Sequence, residues 1–142
     1  MSRPADPRVW FARLAVGAVF LLNVQCALQF ILWPGRYTAG FELAGVPGEA
    51  AVRGLGIAFL MWNATYPLVL SDPRRHRALF AVVLAQQLIG LAGETWLLLT
   101  LPAGHDVLAA SIARFTVFDG AGLLVMAAAF ALLGGRTPAR SA

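Results

Sequence analysis

The chain has 142 residues, of which 59% are hydrophobic and only 13% are charged, whereas a soluble domain keeps roughly a quarter of its residues charged. This composition excludes an ordinary soluble domain and indicates a protein that lies partly in lipid. The net charge of +4 comes from arginines at the ends of apolar runs, which disfavours nucleic-acid binding, and the single cysteine, Cys26, excludes an intrachain disulfide.

Four apolar runs predict four membrane-spanning helices, because roughly 17–25 residues of helix cross a hydrocarbon core. In chain order the predicted spans cover about residues 14–33, 54–70, 78–101 and 107–133. The first run follows a basic N-terminal segment, but it is longer than the apolar part of a signal peptide, so we expect it to stay uncleaved. Residues 34–53 are predicted to form an outer loop.

The connections between the spans predict how the spans are arranged. Short connections favour antiparallel neighbours, so we predict an all-α integral membrane fold: a single domain, residues 1–142, forming an antiparallel up-down-up-down four-helix transmembrane bundle. Eight of the eleven arginines lie before the first span, between the second and third, and after the fourth. The positive-inside rule then places both termini in the cytoplasm, and we expect a bacterial cytoplasmic (inner) membrane.

Polar side chains interrupt the spans in their outer halves. They are Asn23, Arg53, Asn63, Glu94, Arg114 and Asp119. A charge at the centre of a membrane helix costs about 2.5–3.5 kcal/mol, so these groups are expected to face the bundle interior and to pair. We predict an ion pair between Arg114 and Glu94 at matching depth. Asp119 is expected to be held by one of the two asparagines or by Arg53.

Helical spacing allows these side chains to converge. Arg53 and Asn63 lie on one stripe of the second span, and Gln87, Gly90 and Glu94 lie on one stripe of the third. Glycines within such stripes let membrane helices approach closely. The sequence therefore predicts a polar, charge-paired ligand pocket in the outer half of the bundle, formed by the six polar side chains. The alternative is a buried polar network that fixes the register of the helices and contributes no chemistry.

Two short segments carry a family resemblance. Residues Ala51–Leu60 (AVRGLGIAFL) follow a loop rich in proline and glycine, and residues Phe118–Gly122 (FDGAG) lie in the fourth span. Together with the layout of the spans, they resemble the DoxX-like group of small four-span bacterial membrane proteins. The resemblance implies a compact four-helix membrane fold. It implies no particular activity, and it carries no catalytic residue over to this chain.

Three functions remain open from the sequence. The first is an accessory or ligand-binding membrane protein, or a subunit of a larger complex, whose pocket holds a small molecule, a lipid or a quinone head group. The second is a membrane enzyme on an apolar substrate, such as an isomerase or cyclase, with Glu94 and Asp119 as candidate catalytic acid and base. The third is a dimeric proton-coupled transporter in which these acids are protonated in turn.

The types of residue present narrow the expected partners. No metal-ligand constellation and no nucleophile motif is apparent, which disfavours an enzyme relative to a binding protein, and we expect neither a metal nor another cofactor. Membrane lipids are the expected partners, with a homo-oligomer or a larger membrane complex as further possibilities and no nucleic acid.

Overall fold

The computed structural model describes residues 6–134, and within that range the chain contains helices and no strands. The all-α class predicted from the sequence is confirmed for these residues. Four helical stretches are long and apolar enough to cross a membrane, namely Pro7–Leu32, Gly45–Ser71, Arg77–Thr100 and Asp106–Gly134. The fold is therefore compatible with a membrane bundle.

The first helix, α1 (Pro7–Leu32), begins before the apolar run that predicted it. Asp6 caps it, because its Oδ1 accepts a hydrogen bond of 2.9 Å from the backbone N–H of Arg8. Pro7 occupies the first turn, where its missing N–H costs nothing. Asp6 and Arg8 are polar, so hydropathy alone does not register the start of this helix.

Two short 3₁₀ turns, Pro34–Arg36 and Thr38–Phe41, follow α1 and precede α2 (Gly45–Trp62). The prediction that the whole of residues 34–53 is a loop is wrong, because α2 begins at Gly45 and not at Gly54. Glu49 and Arg53 are exposed on this helix. Charged side chains on an exposed face lower the hydropathy of a segment but leave its backbone hydrogen bonds intact.

The second span is divided near its middle. After α2, a 3₁₀ turn (Asn63–Thr65) leads into α3 (Tyr66–Ser71). Pro67 has no N–H with which to continue the α-helical hydrogen bonds, and its ring crowds the carbonyl of the preceding turn, so the helix breaks here. Asn63 is 3% exposed, and its Nδ2 donates to the Phe59 carbonyl over 2.7 Å. The break thus holds a buried amide in the middle of the span.

The chain continues as α4 (Arg77–Thr100) and α5 (Asp106–Gly134). One end of the molecule, which we call the arginine end, holds Arg13, Arg74 and Arg77. Arg13 donates to the Ser71 carbonyl at this end. Arg77 Nη1 donates to the carbonyl of Phe130 over 3.2 Å, so the start of α4 meets the last turns of α5.

The opposite end, which we call the loop end, holds residues 33–44 and 101–105. Ser111 of α5 donates to the Gly40 carbonyl over 2.6 Å, and Arg53 Nε of α2 donates to the Ile31 carbonyl over 3.1 Å. These bonds join the last turn of α1, the early turns of α2 and α5, and the 3₁₀ turns.

The helices pack most closely in pairs. α4 lies along α5, and α1 lies along α2 and α5, whereas α3 fills the space between α1 and α4. A Cβ added to Gly56 would lie 2.7 Å from the Ala27 carbonyl oxygen, so the absence of a side chain there permits the close approach of α1 and α2. α2 makes no extensive contact with α4, which leaves the loop half of the bundle less tightly filled.

The apolar core lies in the arginine half of the bundle. Its members include Ala12, Val16, Val69, Phe80, Met126 and Leu133. The outer surface is also apolar, since Leu21, Leu99 and Leu124 are 67%, 79% and 75% exposed. A surface of this kind suits contact with lipid chains. The polar residues lie in the loop half, away from the apolar core.

Candidate ligand-binding site

A cavity of about 580 Å³ lies in the loop half, with walls from every helix and from the 3₁₀ turns after α1. Its volume falls within the range of small-molecule sites. Five of the six side chains predicted from the sequence line it: Asn23, Asn63, Glu94, Arg114 and Asp119. The sixth, Arg53, is exposed and bonds to the Ile31 carbonyl instead.

The predicted ion pair between Arg114 and Glu94 is wrong. Arg114 Nη2 donates to the hydroxyl of Ser111 over 3.0 Å, and within residues 6–134 the ion pairs are Asp6 with Arg74 and Glu42 with His105. The reason is rotational. Arg114 and Glu94 both line the cavity, but Arg114 lies about 140° around α5 from Asp119, the residue that bonds to α4. Its guanidinium therefore bonds to Ser111 of its own helix and not to Glu94. The pocket is not charge-paired as expected.

Asp119 is held by Gln87 of α4 and not by an asparagine or by Arg53, which corrects the second predicted contact. Gln87 Nε2 donates to Asp119 Oδ1 over 2.8 Å, and Gln87 is only 5% exposed. The other carboxylate oxygen, Oδ2, occupies the space beside Gly90, 2.5 Å from where a Cβ of that residue would lie. A glycine on α4 therefore provides the room for a carboxylate from α5.

The hydrogen bonds continue from Gln87 into the second span. The Tyr66 hydroxyl donates to Gln87 Oε1 in a long bond of 3.5 Å, and the amide of Asn23 lies against the same hydroxyl. Asn23, Tyr66, Gln87 and Asp119 thus connect α1, α3, α4 and α5. Both the nitrogen and the oxygen of the Gln87 amide are hydrogen-bonded, so these partners determine the orientation of the amide.

Asn63, Gln86 and Glu94 line the cavity, and we call these three side chains the polar wall. Each has one buried oxygen without a hydrogen-bond partner among residues 6–134. These oxygens are Asn63 Oδ1, Gln86 Oε1 and Glu94 Oε2. A buried acceptor without a partner costs about 1–3 kcal/mol. All three atoms accept hydrogen bonds in the ordinary ionised or neutral form of their side chains. The polar wall therefore contains acceptors that lack a hydrogen-bond donor.

A second wall of the cavity is aromatic. The ring of Phe30 is 3% exposed and lies at the centre of a cluster with Tyr37, Phe41, Phe59 and Phe115, at centroid distances of 4.9, 5.7, 6.1 and 6.3 Å. We call this set the aromatic wall. Rings at such distances attract one another through edge-to-face and offset contacts. The rings come from α1, from residues 37–41, from α2 and from α5, and together they form one apolar surface.

Residues 34–42, which we call the connecting segment, are fastened over the loop end. Glu42 adopts a left-handed backbone (φ 55°), and its carboxylate contacts the ring of His105 and accepts from the Leu108 N–H over 3.2 Å. These two hydrogen bonds hold the pKa of Glu42 below its ordinary value, the one from His105 contributing most. The Tyr37 hydroxyl donates to Gln29 Oε1 over 3.0 Å.

No protein-family model, curated protein or solved structure matches the chain. The resemblance of residues 51–60 and 118–122 to the DoxX-like group therefore stays a prediction. The cavity is therefore the feature of the molecule that bears on its function.

The residues around the cavity limit the chemistry that it can support. Within residues 6–134, no group of three histidine, cysteine or acidic side chains is arranged to hold a metal ion. Glu94 and Asp119 both line the cavity. The cavity thus offers two carboxyl groups, several amides and an aromatic surface, a combination suited to binding and to proton transfer.

Sequence reasoning missed part of this site. Gln86 was not singled out, although the Gln86–Gln87 pair interrupts an otherwise apolar run and could have drawn attention to α4. Tyr66, Phe30 and Phe59 gave no signal, because aromatic residues are common throughout membrane helices. Their convergence depends on the packing of separate elements.

Proposed function

We propose that this is a multi-pass protein of the bacterial cytoplasmic membrane, inserted as an antiparallel up-down-up-down bundle with both termini in the cytoplasm. Four helices of sufficient length, apolar outer surfaces and the arginine distribution support this placement. In this orientation the arginine end faces the cytoplasm, and the cavity lies in the outer half of the membrane.

We further propose that the cavity binds a small amphipathic ligand and that the protein acts as a ligand-binding or accessory membrane protein, alone or as a subunit of a larger complex. One observation carries this proposal: a single cavity joins an aromatic wall to a polar wall with three unpartnered buried acceptors. A small molecule or a lipid of mixed polarity suits such a site, whereas a quinone head group, whose carbonyl oxygens only accept, leaves the three acceptors without a donor. Membrane lipids are then both solvent and candidate ligands.

The test is whether purified protein retains a molecule in the cavity. Native mass spectrometry of the wild type is expected to show added mass, which extraction and chromatography would separate from bulk lipid. Cys26 lines the cavity, so Cys26→Phe should fill part of it and release the added mass. Leu21→Phe is the matched control, because Leu21 is 67% exposed and lies outside the cavity. Equal spectra for all three proteins would contradict the proposal.

A second candidate function is acid–base catalysis on an apolar substrate. It is favoured by the position of Glu94 and Asp119 on one cavity, with Asp119 oriented by Gln87 and Glu94 Oε2 left without a partner. An oriented carboxylate suits a general base, and a second carboxyl group nearby suits a general acid. This arrangement would act on a proton of the bound molecule itself.

Incubation with an apolar lipid extract, followed by mass spectrometry, tests the enzymatic candidate. Wild-type protein should change the abundance of specific compounds, Glu94→Gln should abolish the change, and Glu49→Gln should not. Glu49 is an exposed acid outside the cavity, which makes the last variant a matched control. Identical extracts with and without wild-type protein would remove this candidate and leave the binding function.

A further inference from the structure

We infer that the ligand of this cavity is a cationic amphiphile whose head group carries N–H donors, as a protonated primary amine does, and whose apolar body lies on the aromatic wall. The inference rests on the proposed binding function and names the chemical class of the ligand. It follows from three features of the cavity: the type of polar atom left unpartnered, the balance of charge, and the composition of the second wall.

The unpartnered polar atoms are all oxygens that accept. Asn63 Oδ1, Gln86 Oε1 and Glu94 Oε2 are buried oxygens of side chains that line the cavity, and they have no donor among residues 6–134. Asn63 is 3% exposed, and its Nδ2 is already bonded to the Phe59 carbonyl, so the amide cannot rotate to offer its donor without losing that bond. A ligand that brings donors satisfies this wall, and one that brings only acceptors does not.

The charge around the polar wall favours a cation. Glu94 and Asp119 both line the cavity, and neither is in an ion pair within the described range. Two exposed arginines, Arg36 and Arg114, also line the cavity. Arg114 bonds to Ser111, which lines the cavity too, and Arg36 lies over the ring of Trp33 at 5.6 Å, so within residues 6–134 neither guanidinium is paired with Glu94 or Asp119. An ammonium group beside the carboxyl groups gains charge-assisted hydrogen bonds.

The aromatic wall suits the rest of the ligand. Phe30, Phe59 and Phe115 present apolar surface to the cavity, and the faces of such rings also attract a cation within about 6 Å. An acyl chain or a ring system would bury apolar area against them. The two walls together therefore match a molecule with one charged, donor-bearing end and one apolar end.

A series of probes with the same alkyl chain distinguishes the contribution of N–H donors to binding from the contribution of positive charge. Protein in nanodiscs is titrated by calorimetry with dodecylamine, dodecanol, dodecyltrimethylammonium and dodecanoate, and empty nanodiscs correct for partition into lipid. Dodecylamine should bind most tightly, about tenfold or more above dodecyltrimethylammonium, which has the charge but no donor. Dodecanol should be intermediate, and dodecanoate should bind no better than it does to empty nanodiscs.

Variants then assign the preference to the polar wall. Gln86→Leu removes an acceptor and should weaken dodecylamine binding, whereas Glu94→Gln should reduce the preference for dodecylamine over dodecanol. Glu49→Gln, the same change at an exposed site outside the cavity, should alter neither. The ranking of probes on the wild type needs no variant, so a variant that fails to fold does not remove the test.

Each outcome decides between the proposals. Dodecanoate or dodecyltrimethylammonium binding as tightly as dodecylamine would overturn the assignment of ligand class while leaving a ligand site in place. No probe binding above empty nanodiscs, together with no retained mass on the purified protein, would overturn the binding function as well. A preference for dodecylamine that Gln86→Leu and Glu94→Gln leave unchanged would place the amine outside this cavity and would also overturn the inference.

Discussion

Asp119 of α5 lies in the space that the absent side chain of Gly90 leaves on α4, with Oδ2 2.5 Å from the position of a Cβ there. On its other side, Oδ1 receives a hydrogen bond from Gln87. Gln87 and Gly90 are one turn apart on α4. A donor and a gap on the same face of one helix therefore determine where the carboxylate of the next helix lies.

The gap at Gly90 yields a first prediction. Gly90→Ala should displace Asp119 and lower the free energy of unfolding by about 1–3 kcal/mol, since the added methyl overlaps the carboxylate. The matched control is Gly93→Ala, whose Cβ would meet nothing within 4 Å. That change should be neutral or stabilise by about 0.5–1 kcal/mol, because alanine favours the helix. Unfolding in detergent measures both, and equal destabilisation would contradict the close approach of Asp119 and Gly90.

The hydrogen bond between Gln87 and Asp119 yields a second prediction. Gln87→Leu should destabilise the protein by about 1–3 kcal/mol, because it leaves the carboxylate without its donor. In a double-mutant cycle with Asp119→Asn, the two changes should be non-additive by about 0.5–3 kcal/mol. Additive effects would show that the two side chains do not depend on each other. The same cycle with exposed Glu49→Gln in place of Asp119→Asn should be additive.

The attachment of the connecting segment yields a prediction about pH. The pKa of Glu42 is lowered in the folded protein, mainly by the hydrogen bond from His105 and then by that from Leu108, from an ordinary value of 4.5. The unfolded state therefore binds more protons in this range, and stability rises with pH. The contribution of Glu42 is complete above its ordinary pKa and is lost as the pH falls through the lower folded-state pKa.

Thermal unfolding of wild type and Glu42→Gln measures this contribution. The advantage of the wild type should be present above the ordinary pKa of 4.5 and should shrink as the pH falls below it. Glu49→Gln, the same change at an exposed position of α2, serves as the control. A wild-type advantage that grows as the pH falls would have the wrong sign and would contradict the assignment.

The proposed orientation yields a prediction about chemical labelling. Cys26 is the sole cysteine, so a Cys26→Ala background allows one new cysteine to be placed at each end. Ala103→Cys at the loop end should react with a membrane-impermeant maleimide on intact cells. Arg75→Cys at the arginine end should react only after the cells are opened. The reverse pattern would invert the proposed topology, and reaction of both on intact cells would contradict insertion across the membrane.

The sequence by itself determined where most helices lie. Long apolar runs leave the backbone no water with which to bond, so they become helical almost independently of their neighbours. The run that gave α4 shows this, since helix and apolar segment nearly coincide at Arg77–Thr100. The start of α2 at Gly45 was missed because Glu49 and Arg53 lower the hydropathy of residues that are nonetheless helical.

The depth of the polar residues was also contained in the sequence, because position along a helix follows from a rise of about 1.5 Å per residue. Five of the six chosen side chains line one cavity for that reason. Their partners were decided only by the tertiary structure. The position of a residue along a helix does not determine which face of α5 packs against α4. In the folded protein α5 is rotated so that Asp119 bonds to Gln87 and Arg114 bonds to Ser111.

The aromatic wall shows most clearly the difference between what the sequence determines and what the tertiary structure determines. Phe30, Phe41, Phe59 and Phe115 come from α1, the connecting segment, α2 and α5, and none of them is a neighbour of another in the chain. A sequence determines the character of each helix through local backbone energetics. Which side chains share a cavity depends on helix rotation and on close approaches such as that at Gly56, and these are set by packing between elements far apart in the chain.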